Sequence, residues 1–386
     1  MWSVAIKMLV GDRGKYLGML MGVTFACLLI THQEAVFVGI MTRTYSVITD
    51  LGLPDIWVMD PKVQFIDDSK PMRDTQLYQV RGVDGVEWAV PLYKGLLRAR
   101  LADGNFQSCS VLGLDDATMI GGPPEMIDGR LEDLRQADAV VVDIVGAQGR
   151  LAKPPVLPGE KPVPLKVGDV LELNDHRAVV VGICRSSRSF QNQPILYTTY
   201  TRAMRFAPRE RKMLSFILVK ARAGQDLQTL NRRIEAATEL RALTAREFRM
   251  KTFWYFMKYT GIPINLGIAM FMSLVVGAAI AGQTFYTFTL ENLRYFGTLK
   301  AMGASNSLLF RMILLQAVMV GIIGYGIGVG GASVFGYFAS GTEAAWRIVW
   351  QLPLITAGVV VLICSLSAAI CIRKVMRLEP AVVFRS

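Results

Sequence analysis

The chain has 386 residues, 52% of them hydrophobic and 19% charged, with a formal net charge of +11. It is too apolar for an ordinary soluble protein and too charged to lie wholly in lipid, so a membrane protein with a sizeable aqueous part is expected. The Lys and Arg residues are dispersed and flank apolar runs, which argues against nucleic acid as a partner and for headgroups and topology signals.

Residues 1–48 open with an amphipathic piece over 1–10, in which Trp2, Ile6 and Leu9 share a face that Lys7 avoids. It predicts an interfacial elbow helix. Asp12, Arg13 and Lys15 then precede the charge-free stretch 16–31. No small-residue cleavage site follows, and Thr24-Phe25-Ala26-Cys27 makes a poor lipoprotein box, so an uncleaved transmembrane helix is expected. His32, Gln33 and Glu34 interrupt it before 35–42 resumes the apolar pattern. An ionisable group at membrane depth is a functional candidate, but the sequence favours a helix that protrudes into water and leaves Glu34 solvated.

Residues 49–260 form a hydrophilic block with Pro and Gly punctuation and strand-like alternation, large enough for its own core. Segments 96–100 and 107–112 flank Asp103-Gly104, and 170–173 and 178–183 flank Asn174-Asp175, each predicting a hairpin. Residues 225–238 predict a helix with Leu227, Leu230 and Ile234 on one face. The Pro-rich stretch 153–164 predicts an exposed loop dividing two subdomains. Phe248, Phe253, Trp254, Tyr255 and Phe256 read as an aromatic cluster at a membrane interface, with Lys251 and Lys258 on its wet side.

Residues 262–290 and 312–342 contain no Asp, Glu, Lys or Arg. Each run exceeds the roughly 20 residues that cross hydrocarbon as a helix, and a last span follows over 352–372. Gly277 and Ala281 in the second span and Gly324 and Gly328 in the third recur at four-residue spacing, as does the offset pair Gly326 and Gly330, which predicts close helix packing. Lys7, Arg13 and Lys15, then Arg294, Lys300 and Arg311, then Arg373, Lys374 and Arg377 fall on one side of a four-span arrangement. The charge rule makes that side, with both termini, cytoplasmic.

Between spans two and three, Leu293, Phe296, Leu299 and Lys300 recur at helical spacing and Gly303 stands where a helix would stop. An interfacial helix and a docking helix both fit that pattern. Glu291-x-x-Arg294 followed by Gly297-Thr298-Leu299-Lys300-Ala301-Met302-Gly303-Ala304-Ser305 resembles the loop after the second transmembrane helix of FtsX/MacB-type ABC transporter permeases. The sequence departs from that pattern at Tyr295-Phe296, with the acidic residue displaced to Glu291. The tail, with its basic cluster and Leu378-Glu379-Pro380-Ala381, resembles the family too. Length and the lack of a fused ATPase look most like the DevC-type subgroup.

The resemblance implies an α-helical membrane protein of four transmembrane helices with a large extracytoplasmic mixed α/β domain, MacB-like, between helices 1 and 2. Its implied parts are 1–48 for elbow and helix 1, 49–260 for the periplasmic domain, and 261–386 for helices 2–4 with a cytoplasmic coupling helix at 291–305 and the tail. The implied function is the permease subunit of an exporter of a hydrophobic or lipid-like substrate in the bacterial inner membrane. The alternative is an FtsX-like scaffold that transmits motion to an extracytoplasmic hydrolase. Implied partners are a separate ABC ATPase holding ATP and Mg, a second copy of the chain, a periplasmic adaptor (membrane fusion protein), an outer-membrane channel and lipid. Glu291, Arg294, Phe296, Leu299, Lys300, Met302 and Gly303 are the implied ATPase contacts.

The chain has no G-x-x-x-x-G-K-[ST] loop, and His32 and His176 are its only imidazoles, so neither a nucleotide site, a catalytic set nor a metal site is expected within it. Cys27, Cys364 and Cys371 read as packing residues. Cys109 and Cys184 fall in strand-like segments, as a disulfide or as two buried thiols. The adjacent carboxylates Asp67-Asp68 and Asp115-Asp116 read as solvated turns.

Overall fold

The computed structural model describes residues 2–11, 13–101, 103–155, 160–208, 213–339 and 344–376. Part of the Pro-rich stretch and the tail from Arg377 onward, including its family-like motif, lie outside them. In chain order the elements begin with helices α1 (Trp2–Gly11), α2 (Arg13–Thr44) and α3 (Ser46–Asp50). Next come β1 (Ile56–Met59), α4 (Asp74–Arg81), β2 (Val86–Arg100), β3 (Phe106–Leu114), β4 (Glu125–Asp128), β5 (Ala139–Asp143), α5 (Ile144–Gln148), β6 (Val170–Leu173) and β7 (His176–Arg185). They are followed by β8 (Ile195–Thr199), α6 (Tyr200–Phe206), β9 (Phe216–Ala221), α7 (Leu227–Thr238), β10 (Arg241–Thr244) and α8 (Ala245–Tyr259). The chain continues with α9 (Ile262–Glu291), α10 (Leu293–Ala301), α11 (Asn306–Ala339) and α12 (Gln351–Met376). Two compact units result, Met1–Ile40 with Gly261–Ser386, and Met41–Thr260, so one division falls inside α2.

In the α/β unit the long strand β2 serves two sheets. Its first half pairs β9 in the antiparallel order β10-β1-β9-β2. Trp57 and Met59 face one core while Ile56 and Val58 face another, as the two-residue period of a strand requires. Helices α4 and α7 cover the second face through Leu77, Val80, Leu230 and Ile234. Asp226 caps α7, accepting from the Thr229 amide at 2.8 Å.

The second half of β2 pairs β3 and β6, and the pairings β3-β8-β5-β7-β6 close a six-stranded ring. Its core holds Leu97, Ala99, Cys109, Val111, Val140, Val142, Leu173 and Val180. Both hairpins have the expected registers, Arg100↔Phe106 and Leu173↔His176. Asn174 and Asp175 take φ of 46° and 63°, the paired left-handed conformation that a two-residue hairpin turn needs. The Pro-rich stretch divides no subdomains: Lys153 and Val163 pair in an isolated bridge, and the loop leaves from α5 and returns to β6 on the same ring.

Cys109 and Cys184 are free and buried. They stand on β3 and β7, three strands apart in either direction round the ring, and a slip in the β5–β7 register sends Cys184 to the core on the other side. At about 4.8 Å per strand spacing the pair lies beyond the roughly 7 Å that a disulfide spans. Burial pushes the Cys109 thiol up to about 12 and raises Cys184 as well.

The aromatic run on α8 serves mainly the α/β core. Thr244 and Glu247 cap the helix reciprocally, at 3.2 and 2.8 Å. Phe248 is fully buried against Trp57 and Phe216, with ring centroids 5.6 and 5.8 Å away, and Tyr255 stacks on Phe65 at 4.3 Å. Helical spacing turns 248, 252 and 256 inward, leaving Trp254 and Tyr259 exposed.

Among the described residues, the helical unit contains four helices long and apolar enough to cross a membrane, α2, α9, α11 and α12. With the mixed α/β unit inserted between the first and second of them, the chain is a four-span α-helical membrane protein. A Cβ on Gly277 would meet the Ala26 Cβ at 2.4 Å, and one on Gly328 the Cys27 Cβ at 2.5 Å and the Thr24 carbonyl at 2.7 Å. Gly324 lies against Val23 and Thr24 in the same way, and Ala281 is fully buried. The offset glycines Gly326 and Gly330 face open space.

Glu34 is not solvated. It is 4% exposed, and its Oε2 accepts from the Thr356 hydroxyl on α12 at 3.0 Å, with Thr31 Oγ1 3.2 Å from that hydroxyl. The three side chains form a buried polar link between α2 and α12. Such links average about 0.6 kcal/mol in a bundle. Glu34→Gln, which keeps an acceptor, is expected to leave the thermal unfolding midpoint in detergent unchanged, whereas Glu34→Leu lowers it measurably; an unchanged midpoint for both would show the link to be idle.

Candidate functional site

The connector between α9 and α11 is built from three chain breaks. At the first, the Asn292 side chain donates to the Phe288 carbonyl at 2.8 Å while its own carbonyl accepts from the Phe296 amide at 3.1 Å. Asn292 thus ends α9 and starts α10, and it is nearly buried. At the second, Gly303 takes φ +93°. Its amide donates to the Lys300 carbonyl at 3.1 Å and that of Ala304 to the Leu299 carbonyl at 3.0 Å. These two bonds are the Schellman termination, which needs a left-handed residue at Gly303. At the third, the Ser305 hydroxyl accepts from the Leu308 amide at 3.3 Å and caps α11.

Helix α10 is thereby fixed in phase. Phe296, 1% exposed, belongs to one buried cluster with Phe288, Leu309, Met312 and Ile313, and Leu293, Leu299 and Ala304 lean on it. Gly297 is buried too. The free face carries Arg294, Tyr295, Thr298, Ala301 and Met302, with Tyr295 62% and Met302 71% exposed. Lys300 is half-buried. Of the apolar residues that the resemblance assigns to docking, Phe296 is therefore spent on the chain's own core and Leu299 partly so, because three-residue spacing carries both round to the bundle. Met302 and Tyr295 hold the outward positions.

Other parts of the unit brace this connector. Glu291 pairs with Lys15 at 2.6 Å at the start of α2, a half-exposed bridge worth at most about 1 kcal/mol. The elbow α1 packs through Ala5 and Leu9, and Gln316 of α11 donates to the Ala5 carbonyl at 2.8 Å. Ile6, grouped with Leu9 by helical spacing, is 37% exposed, and Val4 and Val10 are exposed with it. Lys15 and Glu291 mark one end of the bundle, while the other brings Arg347, whose amide donates to the Ala35 carbonyl at 3.0 Å. The reading of the sequence passed over Asn292 and gave Ser305 and Tyr295 no role beyond the family-like string. A capping residue before a long apolar run was the available signal for Ser305.

Residues 17–237 match the family described as MacB-like periplasmic core domain, and residues 267–380 match the FtsX-like permease C-terminal family. An uncharacterised ABC transporter permease from Methanocaldococcus jannaschii is 25% identical over 166 residues, which is 42% of this chain and 41% of that protein. The chain thus spans well under two thirds of that relative's length. Among solved structures, the periplasmic region of MacB from Actinobacillus actinomycetemcomitans shares 14% identity at a TM-score of 0.36, over 53% of this chain and 94% of that one. The extracellular domain of the noncanonic ABC-type transporter YknZ from Gram-positive bacteria shares 12% identity at a TM-score of 0.33, over 50% and 98%.

Proposed function

Because the chain belongs to the MacB/FtsX-type ABC transporter permeases, with a MacB-like periplasmic core domain joined to an FtsX-like permease part, we propose that it is the membrane subunit through which a separate ATPase drives export of a hydrophobic or lipid-like substrate. The observation that carries this reading is α10, a nine-residue helix locked at both ends and rooted by Phe296, yet presenting Arg294, Tyr295 and Met302 outward. An exposed apolar pair on a rigid base is what an interface anchor requires. The ATPase, holding ATP and Mg, seats on that face. Its closure pushes on α9 and α11, which continue from the connector.

In this reading the connector end of the bundle and both termini lie in the cytoplasm of a bacterial inner membrane, and the basic residues at that end support it. The α/β unit lies outside, where a second copy of the chain, an adaptor and an outer-membrane channel complete the assembly. Affinity purification of the tagged chain from its native membrane, followed by mass spectrometry, tests the dock. Met302→Glu is expected to remove the co-purifying ATPase without lowering the yield of folded permease, since the side chain makes little contact with its own bundle. An ATPase retained at wild-type level would overturn the assignment of this face.

A further inference from the structure

One stripe of α8 is left over by the core and by the proposed docking. Arg246, Arg249, Met250 and Phe253 follow at i, i+3, i+4 and i+7 and line one face. With Tyr45 they wall an open cleft of about 320 Å³ within the α/β unit. Among the described residues neither arginine side chain has an ion-pair or hydrogen-bond partner. The carboxylate nearest in sequence, Glu247, is engaged by Thr244 and Gln228. Lys251 is turned away to the Val63 carbonyl at 2.6 Å. The cleft therefore carries two uncompensated guanidinium groups above a thioether and two aromatic rings.

We propose that Tyr45, Arg246, Arg249, Met250 and Phe253 form a binding site for the phosphate headgroup of an anionic membrane lipid. Two features define the ligand. Guanidinium forks match phosphate oxygens bidentately. Met250 and Phe253 suit the glycerol and upper acyl carbons, which a free anion lacks. A third feature favours a membrane source: Tyr45 directly follows α2, a helix long and apolar enough to cross a membrane. The volume lies near the lower end of small-molecule sites, enough for a headgroup and not for a whole lipid. The inference rests on the chain being a membrane protein and not on export or on an ATPase.

The test uses the full chain purified in a neutral detergent, titrated with dihexanoyl phosphatidylglycerol, dihexanoyl phosphatidylcholine or inorganic phosphate, with binding read by native mass spectrometry. Phosphatidylglycerol is expected to bind more tightly than the other two. Arg246→Gln and Arg249→Gln should each weaken it about tenfold, and the double variant about a hundredfold. Met250→Glu, at a position 49% exposed, puts a carboxylate into the cleft without touching either arginine and should cause a comparable loss. Arg222→Gln, a surface residue paired with Asp84, should change nothing. Unchanged phosphatidylglycerol binding in the double variant and in Met250→Glu would overturn the site. Equal binding of phosphatidylcholine would overturn its charge selectivity, and equal binding of inorganic phosphate would overturn a lipid as its occupant.

Discussion

Phe296→Ala is expected to cost about 3–5 kcal/mol, the usual penalty for emptying a fully buried aromatic site. Phe296 is the largest side chain that α10 commits to the bundle, and it sits in one cluster with Phe288 of α9 and with Leu309, Met312 and Ile313 of α11. Those neighbours come from helices whose ends the connector itself fixes, so they cannot close over the gap without moving Asn292 or Ser305. The loss should appear as a lower unfolding midpoint in detergent and as faster proteolysis between residues 291 and 305. Partner binding should fall with it, because the outward residues depend on the same root. A variant with a wild-type midpoint would mean that the helix is held by its two terminations alone.

The second large effect is expected at Gly328. Even alanine there would bring a Cβ to 2.5 Å from Cys27 Cβ, 2.7 Å from the Thr24 carbonyl and 3.1 Å from the Leu28 amide nitrogen. Two of the three obstacles are backbone, so α2 must shift as a body. Overpacking of this kind costs roughly 1–3 kcal/mol or more, and the tight α2–α11 seam offers no flexible side chain to absorb it. Gly330→Ala provides the control, since nothing lies within 4 Å of its Cβ position. It should match or slightly exceed the wild type in stability, as a helix gains from alanine over glycine. Thermal unfolding of the two variants side by side checks the assignment, and equal midpoints would contradict it.

The parts of this molecule legible in its sequence are those fixed by local chemistry. Charge-free runs mark the spans because unpaired charge is costly in hydrocarbon, Asn174-Asp175 marks its hairpin because both residues tolerate positive φ, and Gly303 marks the end of α10 for the same reason. What depends on which elements become neighbours was not legible. Glu34 looks like a solvated interruption until α12 brings Thr356 to it. Cys109 and Cys184 read as a disulfide or as two buried thiols until a ring of strands separates them. Phe248 belongs by composition to an interface belt, yet Trp57 and Phe216, distant in sequence, claim it for a core. At the connector the residue types marked a helix, but which of its positions face inward and which outward rested on helical phase. Asn292 sets that phase, and it carries no signal in a hydropathy pattern.

The docking face of α10 is the central claim, and its most direct measurement is site-specific photo-crosslinking in the native membrane. A photoreactive residue at Met302 is expected to capture a protein bearing a G-x-x-x-x-G-K-[ST] nucleotide loop, and one at Tyr295 the same protein. A probe at Ile322, exposed on the apolar surface of α11, should capture none of it. Capture of lipid alone at both Met302 and Tyr295, with the nucleotide-binding protein absent, would show α10 to be an interfacial helix and would contradict the account.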